Sequence, residues 1–273
     1  AKKEQDAQIL TDAEQKMVPE CKSKKLDMLH GSIWNKLPRY ALPVAATAIL
    51  EQLFNASDLA VVGNFSSTDR TVAVAAVGAN SSIISLILNL FIGIALGANV
   101  VIATAIGRKN QEEVQRAVHT SIIMSILGGV LIAILGELVA SHLLGMLNIP
   151  DDVLPSALMY LRIYLLGMPV ILLYNFEAAI FRSIGDTKVP LKALTMSGIL
   201  NVLLNLFFVI VFKMTVNGVA IATVLSNAFS SLLLLQKLMR TDRMIHVDLK
   251  AIKIDRCSLM RILKIGLPAG IQS

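Results

Sequence analysis

Residues 71–107 read TVAVAAVGANSSIISLILNLFIGIALGANVVIATAIG, and this stretch contains no Asp, Glu, Lys or Arg. Residues 214–236, which read MTVNGVAIATVLSNAFSSLLLLQ, are also free of these four residue types. A bilayer core about 30 Å thick requires about 20 apolar residues in a helix, and both stretches exceed that length. The two stretches therefore predict helices that cross a membrane.

The composition of the whole chain agrees with a membrane protein. Apolar residues make up 55% of the 273 residues and charged residues only 16%, whereas a typical soluble domain has about 25% charged residues. The net charge of +6 comes from short segments between apolar runs and not from a basic helix, so we expect no nucleic-acid partner. Cys21 and Cys257 lie far apart in polar segments, and they predict neither a disulfide framework nor a metal pair.

The apolar runs predict six full spans and the beginning of a seventh near residue 258. Helices are favoured over a β-barrel because the runs exceed about 20 residues and lack a ten-residue alternating pattern. Turn and cap residues separate the runs. The predicted spans are 38–63, 77–105, 116–140, 153–181, 188–212 and 216–239.

We therefore predict an all-α integral membrane protein with four segments. The expected segments are a polar cytoplasmic tail (1–33), a six-helix transmembrane lobe (34–240), a cytoplasmic linker (241–257) and the truncated start of a seventh helix (258–273). Lys and Arg lie almost entirely in or beside alternate connections, the exceptions being Arg70, Arg162 and Lys213. Cytoplasmic loops carry an excess of Lys and Arg. We expect a multi-pass protein of the plasma (inner) membrane with a cytoplasmic amino terminus.

A short internal repeat links the starts of spans one and seven. Residues 36–45 read KLPRYALPVA and residues 261–270 read RILKIGLPAG, with Leu and Pro in the same register. Six spans per unit would give both units the same orientation, as in carriers built from parallel repeats. We expect the chain to be a fragment whose partners are membrane lipid and the missing carboxy-terminal lobe of the same protein.

The first span is unusually polar for a membrane helix. Glu51, Asn55 and Asp58 are spaced i, i+4, i+7, so they share one helix face. A carboxylate near the bilayer centre costs about 2.5–3.5 kcal/mol, so this face is expected to point into a bundle interior or a wet cavity. There a carboxylate can bind a proton or, with amide oxygens nearby, a Na⁺ ion. We predict cation coupling at Asp58 and Glu51, and the alternative is a structural contact between helices.

Other polar residues in the spans have two possible roles. Asn201 and Asn205 share a face of span five, and Thr223 lies in span six. These side chains can hold helices together, or they can supply oxygen ligands that face the carboxylates of span one. Gly93 and Gly97 form a Gly-x-x-x-Gly pattern that predicts a packing face.

Two further features predict movement. Pro43 lies before Asp58 in the same span, and a proline permits a kink, so we predict a conformational hinge there. Glu177 lies near Arg182 at the cytoplasmic end of span four, and Asp186 follows in the next loop. We predict an ion pair between Glu177 and Arg182, or a cytoplasmic gate formed by this segment.

Four stretches resemble the multidrug and toxic compound extrusion (MATE) family. They are LEQLFNASDLAVVG with Pro43 upstream, IGRKNQEEVQRA, FRSIGDTKVP and NGVAIAT, at residues 50–63, 106–117, 181–190 and 217–223. The resemblance covers about residues 34–273. It implies the amino-terminal half of a twelve-helix transporter, which exports cationic or amphiphilic compounds in exchange for Na⁺ or H⁺.

The resemblance also implies roles for individual residues. Asp58 matches the coupling aspartate of the amino-terminal lobe, and Pro43 matches a proline whose bend is linked to protonation. Asn55, Asn201 and Thr223 match polar positions of that lobe. Many members carry Asp where this chain has Asn205, and Glu51 often replaces an amide, so Glu51 can compensate for the missing charge.

The sequence thus predicts a cation-coupled antiporter of small molecules and not an enzyme, since no nucleophile–base pair or phosphate loop is present. We expect no resident cofactor and no structural metal, only transient Na⁺ or H⁺ at Asp58. One alternative is an exporter of lipid-linked oligosaccharide or polysaccharide from the same superfamily, which would carry more cationic residues in its cavity. The other is a non-transporting membrane scaffold or receptor half.

Overall fold

The computed structural model describes residues 33–65, 70–146, 149–241, 244–248 and 253–272. Within these ranges every regular element is helical, as the sequence predicts. The predicted tail lies outside the described residues, apart from Ile33. The helices are α1 (Ile33–Phe65), α2 (Arg70–Gly107), α3 (Gln111–Met146), α4 (Leu154–Leu166), α5 (Met168–Ser183), α6 (Lys188–Leu206), α7 (Val216–Met239) and α8 (Arg256–Gln272), with a π-helical turn, Phe207–Val211, after α6.

Several helices suit a bilayer. Four of them, α2, α3, α6 with its π-helical turn, and α7, are long and apolar enough to cross a membrane, and α4 with α5 counts as a fifth if the bent pair is one span. The polar helix α1 does not meet this composition test, although it has 33 residues. Large apolar side chains such as Leu86, Leu138 and Leu232 are exposed on the outside of the bundle, which suits contact with lipid.

The fourth predicted span, 153–181, is not one straight helix. It is divided into α4 and α5, which meet at Gly167 with a bend of 50°. Pro169 follows directly and cannot donate a backbone hydrogen bond, so the α4 hydrogen-bond ladder cannot continue unbroken. A Cβ atom on Gly167 would lie 2.3 Å from Cγ2 of Val224, so this glycine also lets α7 approach the bend closely.

The helices pack around two buried apolar clusters. One cluster is centred on α2, α3 and α5 and includes Ile102, Ile122 and Phe176. The other joins α1, α2, α4 and α7 and includes Leu161 and Val219. In addition, α1 packs on α6 and α6 packs on α7. This places one side of α1 against the two helices that carry the polar residues singled out above.

The segment before α8 is held against the start of α3. The side chains of Ile245 and Val247 are buried. The Gln115 side-chain amide donates to the carbonyl oxygen of Met244 at 3.1 Å, and the Asp255 backbone amide donates to Oγ1 of Thr120 at 3.0 Å. The described part of the predicted linker is therefore packed on the bundle.

Glycines bring α2 and α8 into backbone contact. A Cβ atom on Gly93 would lie 2.2 Å from Cα of Gly270, and one on Gly97 would lie 2.4 Å from the carbonyl oxygen of Ile262. Neither position can take a larger residue without a backbone shift. The face predicted at Gly93 and Gly97 thus packs against the beginning of the predicted seventh span.

Candidate functional site

The structure brings four of the predicted polar residues into one hydrogen-bonded group, which we call the Asp58 quartet: Asp58, Asn201, Asn205 and Thr223. The Asn205 side-chain amide donates to Oδ1 of Asp58 at 2.5 Å and to Oδ1 of Asn201 at 3.2 Å. The Thr223 hydroxyl donates to Oδ2 of Asp58 at 3.2 Å. The amide of Asn201 completes the group through a longer contact of 3.4 Å to the Thr223 hydroxyl.

The quartet depends on the close approach of α1 to α6. Gly198 lies one turn before Asn201, and a Cβ atom there would come within 1.8 Å of the Phe54 ring. Because Gly198 has no side chain, Phe54 can lie flat against α6, and Asp58 one turn further along α1 then reaches the two asparagines. Asn201 and Asn205 point the same way because they are spaced i, i+4.

The quartet is buried and contains a single charged group. Asp58 is 5% exposed and Asn205 is fully buried. No Lys or Arg within the described part of the chain forms an ion pair with Asp58; its partners are neutral. The Asn205 carbonyl oxygen is also buried without a hydrogen-bond partner among the described residues. The quartet therefore offers a carboxylate and a free carbonyl oxygen, the donor types that bind protons or hard cations.

A cavity of about 550 Å³ lies beside the quartet. Glu51, Asn55 and Asp58 all contribute to its wall, in agreement with their predicted shared face. Glu51 and Asn55 form no hydrogen bond with the quartet within the described residues, so the structure groups them with the cavity and not with Asp58 directly. Glu51 lies seven residues before Asp58, which is about 10 Å along the helix.

Aromatic residues of the cavity wall were not singled out by the sequence. Tyr160 and Tyr164 of α4 and Tyr174 of α5 line the cavity with Phe54. The i, i+4 spacing of Tyr160 and Tyr164 is a signal that could have indicated a shared face. None of the lining residues within the described chain is Lys or Arg.

The predicted ion pair between Glu177 and Arg182 is wrong for the described structure. Glu177 is fully buried, and its Oε2 accepts a hydrogen bond from the Ser231 hydroxyl at 3.1 Å. The spacing of five residues places Glu177 and Arg182 on different sides of α5. Arg182 instead lies within electrostatic range of Glu51. Asp186 lies in the turn after α5, and its backbone amide donates to the carbonyl oxygen of Phe181 at 3.1 Å.

The predicted hinge residue Pro43 lies inside α1, which continues through it. The Thr47 hydroxyl donates to the Pro43 carbonyl oxygen at 2.8 Å. Pro268 lies inside α8 at the matching position of the predicted repeat. A search of the described residues finds no group of three or more His, Cys, Asp or Glu that could hold a metal ion.

Comparisons with known proteins were made for the whole chain. The family model described as MatE matches residues 43–207. The chain is 28% identical over 247 residues to the probable multidrug resistance protein YoeA of Bacillus subtilis, an alignment covering 88% of this chain and 53% of that protein. It is 26% identical over 247 residues to the probable multidrug resistance protein NorM of Thermotoga maritima, covering 88% of this chain and 52% of that protein.

Solved structures give the same result. A crystal structure of MATE in the bent conformation matches with a TM-score of 0.82 at 26% identity, covering 89% of this chain and 54% of that one. A MATE structure in the straight conformation matches with a TM-score of 0.81 at 26% identity, covering 91% and 55%. The chain thus spans about half the length of the relatives and structures it matches.

Proposed function

This chain belongs to the MatE family, and from that premise we propose that it is the amino-terminal half of a cation-coupled antiporter. The proposed substrates are drugs or other amphiphilic or cationic small molecules, and the proposed coupling ion is H⁺ or Na⁺. The observation that carries the proposal is the buried Asp58, which has neutral partners and lies at the wall of a cavity.

The neutral surroundings of Asp58 make cation binding favourable. An ionised carboxylate away from water is costly unless a positive charge or strong donors compensate it. In the quartet, two donors contact the carboxylate but no cation does. A proton or a Na⁺ ion supplies that positive charge, and Oδ1 of Asn201 and the free carbonyl oxygen of Asn205 are further oxygen ligands for Na⁺.

Cation binding at Asp58 would change contacts between three helices. A bound proton turns one carboxylate oxygen into a donor, so the amide of Asn205 loses an acceptor on α1. The contacts of α1 with α6 and α7 are then weakened or rearranged. We propose that this change favours one of two shapes of the bundle, with Pro43 as the hinge of α1 and the Arg182–Asp186 segment as the inner gate. An ion can shift this equilibrium only by its different affinity for the two shapes.

The cavity wall favours organic cations as substrates. Its volume of about 550 Å³ falls in the range of small-molecule sites, roughly 300–1,000 Å³. The wall combines the carboxylates Glu51 and Asp58 with tyrosine rings, which attract cations through their faces. An exporter of lipid-linked sugars would need cationic side chains for the pyrophosphate, and the described lining has none. The wall therefore favours the antiporter over that alternative.

We propose that the amino terminus lies in the cytoplasm of a cell with the protein in its plasma membrane. The uneven distribution of Lys and Arg supports this orientation. Cys257 is exposed at the start of α8 and offers a direct measurement. With Cys21 replaced by Ser, a membrane-impermeant thiol reagent should label Cys257 in inverted vesicles and not in intact cells. The reverse labelling pattern would overturn the orientation.

The transport proposal is tested with the full-length protein in proteoliposomes. We expect Asp58→Asn to insert and fold normally, because the amide has the shape of the carboxylate, but to lose export driven by an ion gradient. H⁺ and Na⁺ gradients are imposed separately to identify the ion. The exposed Asn64 near the end of α1 is the control position, and Asn64→Ser should export normally. Normal gradient-driven export by correctly inserted Asp58→Asn would reject the proposal.

A further inference from the structure

Glu177 is a buried carboxylic acid that the mechanism above does not use. Its side chain is fully buried in α5. Ser231 of α7 donates to Oε2, while Oε1 has no hydrogen-bond partner among the described residues. Native buried polar atoms nearly always have a partner, so an acid with one oxygen left over requires a reason. A purely structural acid would be expected to have both oxygens bonded.

The position of the free oxygen determines where a proton can reside. Since the Ser231 hydroxyl donates to Oε2, that oxygen is an acceptor and the acid proton belongs on Oε1. A proton on Oε1 is held by no hydrogen bond within the described residues and is available for transfer. A buried carboxyl group without a counter-charge is also the kind of group that holds a proton in order to remain neutral.

Tyr174 connects Glu177 to the cavity. It lies three residues before Glu177 on α5, so the two side chains are neighbours on the helix surface. Tyr174 lines the cavity, and its hydroxyl is buried without a hydrogen-bond partner among the described residues. The hydroxyl also lies within electrostatic range of both Glu51 and Glu177. A phenolic hydroxyl can donate and accept at once, so Tyr174 can stand between a donor and an acceptor.

Resting on the transporter function proposed above, we propose that Glu177 is a second proton-binding site of this lobe and that Tyr174 passes its proton to and from the cavity. In the outward transfer, the O–H bond at Oε1 of Glu177 breaks and a new O–H bond forms at the Tyr174 oxygen. The original Tyr174 proton moves to the carboxylate of Glu51. The tyrosine ends with one proton, as it began, and no other reactant is needed.

The other groups around Glu177 leave this exchange undisturbed. From α7, the nearby side chains are the neutral Ser230 and Ser231. From α2, residues 71–107 contain no charged residue. On α3, His119 accepts a hydrogen bond from the Asp248 backbone amide and interacts electrostatically with Asp248 and His246. On α5 itself, Arg182 lies in range of Tyr174 and Glu51, where its positive charge favours a proton leaving the tyrosine.

The test compares four variants of the full-length protein in proteoliposomes. Glu177→Gln keeps the shape and the Ser231 contact but removes the acid, and Tyr174→Phe removes only a hydroxyl that has no described partner. Both are expected to lower proton-gradient-driven export about tenfold or more, in line with the loss of a positioned proton-transfer group. Glu112→Gln, at an exposed position of α3, is the control and should leave export unchanged. Asp58→Asn is measured in parallel.

Infrared difference spectra recorded across a pH jump provide a direct readout. We expect a carbonyl band of a protonated carboxyl group that changes with pH in the wild-type protein and is absent in Glu177→Gln. If no pH-dependent band depends on Glu177, the inference is wrong. If Glu177→Gln and Tyr174→Phe export at the wild-type rate while Asp58→Asn fails, the inference is also wrong but the proposed function stands. Normal export by Asp58→Asn would instead remove the proposed function.

Discussion

Asp58 and Glu177 are two buried acids in the same bundle, and their surroundings differ sharply. Asp58 accepts hydrogen bonds at both carboxylate oxygens, belongs to a quartet from three helices and contributes to the cavity wall. Glu177 accepts one hydrogen bond, from Ser231, and is fully buried. Their partners on α7, Thr223 and Ser231, are eight residues apart, or about 12 Å along the helix.

The difference shows that burial alone does not decide what an acid can do. Two donors on Asp58 stabilise a negative charge, so that a cation binds and leaves without a large rearrangement. A single donor on Glu177 stabilises a charge less well, which suits a group that holds its proton for longer. The following predictions test this contrast, beginning with the largest expected effect.

The first prediction removes the close approach that creates the quartet. Gly198→Leu would drive a side chain into the Phe54 ring, so α1 must move away from α6 and Asp58 must leave Asn201 and Asn205. We expect a loss of about 3 kcal/mol of stability, as for a severe overpacking change, together with loss of export. The measurement is thermal unfolding of the purified full-length protein.

The control for this prediction is another helical glycine. Gly145 lies in α3, and a Cβ atom there would meet no other atom within 4 Å. Gly145→Leu should therefore change stability by less than about 0.5 kcal/mol. Equal destabilisation of both variants would contradict the close approach at Gly198.

The second prediction compares the hydrogen bonds of the two acids directly. Asn205→Leu removes the 2.5 Å donor of Asp58, and we expect it to cost about 2 kcal/mol because hydrogen bonds to charged groups are worth roughly 1.5–3 kcal/mol. Ser231→Ala removes the donor of Glu177 and should cost only about 0.6 kcal/mol, the average for neutral bonds between membrane helices. Chemical or thermal unfolding measures both, and equal costs would show that the two acids have the same charge state.

The third prediction uses an acid outside the bundle as a reference for the ionised state. Oδ2 of Asp255 accepts hydrogen bonds from the backbone amide and the hydroxyl of Ser258 at the start of α8. These bonds lower the pKa of the Asp255 carboxyl below its usual value. Its capping contribution is therefore fully present at neutral pH and is lost as the pH falls through the lowered pKa, below about pH 4.

Asp255→Ala should accordingly cost about 1 kcal/mol at neutral pH, the usual value of a helix cap, and almost nothing in strong acid. The measurement is thermal unfolding across a pH series. Ala replacement of the adjacent exposed Arg256 makes no cap contact and serves as the control. A cost that is independent of pH would show that the carboxylate charge does not support the cap.

The sequence predicted individual helix faces better than it predicted which faces meet. The shared face of Glu51, Asn55 and Asp58 follows from helical spacing, and the structure has all three at the cavity wall. The pairing of Glu177 with Ser231 did not follow, because a serine in an apolar run looks alike whether it faces lipid or an acid. Similarly, Arg162 pairs with Glu137 at 3.0 Å, a partner from another helix rather than from its own loop.

The bend at Gly167 was also not predicted. Hydropathy is continuous through 153–181, so the sequence pattern indicates one span. The signal that was available is the Gly-Met-Pro sequence at 167–169, because proline interrupts a helical hydrogen-bond ladder. Local backbone chemistry could have located this break, whereas the contacts between distant helices depend on packing that spacing alone does not encode.

The backbone contact between α2 and α8 has a consequence for the bilayer around the protein. With Cα atoms of Gly93 and Gly270 facing each other across the crossing, this seam leaves no slot into which an acyl chain could slide. Lipid is kept out there by main chain and not by bulky side chains that could swing aside. A solute held in the interior therefore has no sideways leak into the hydrocarbon along this seam.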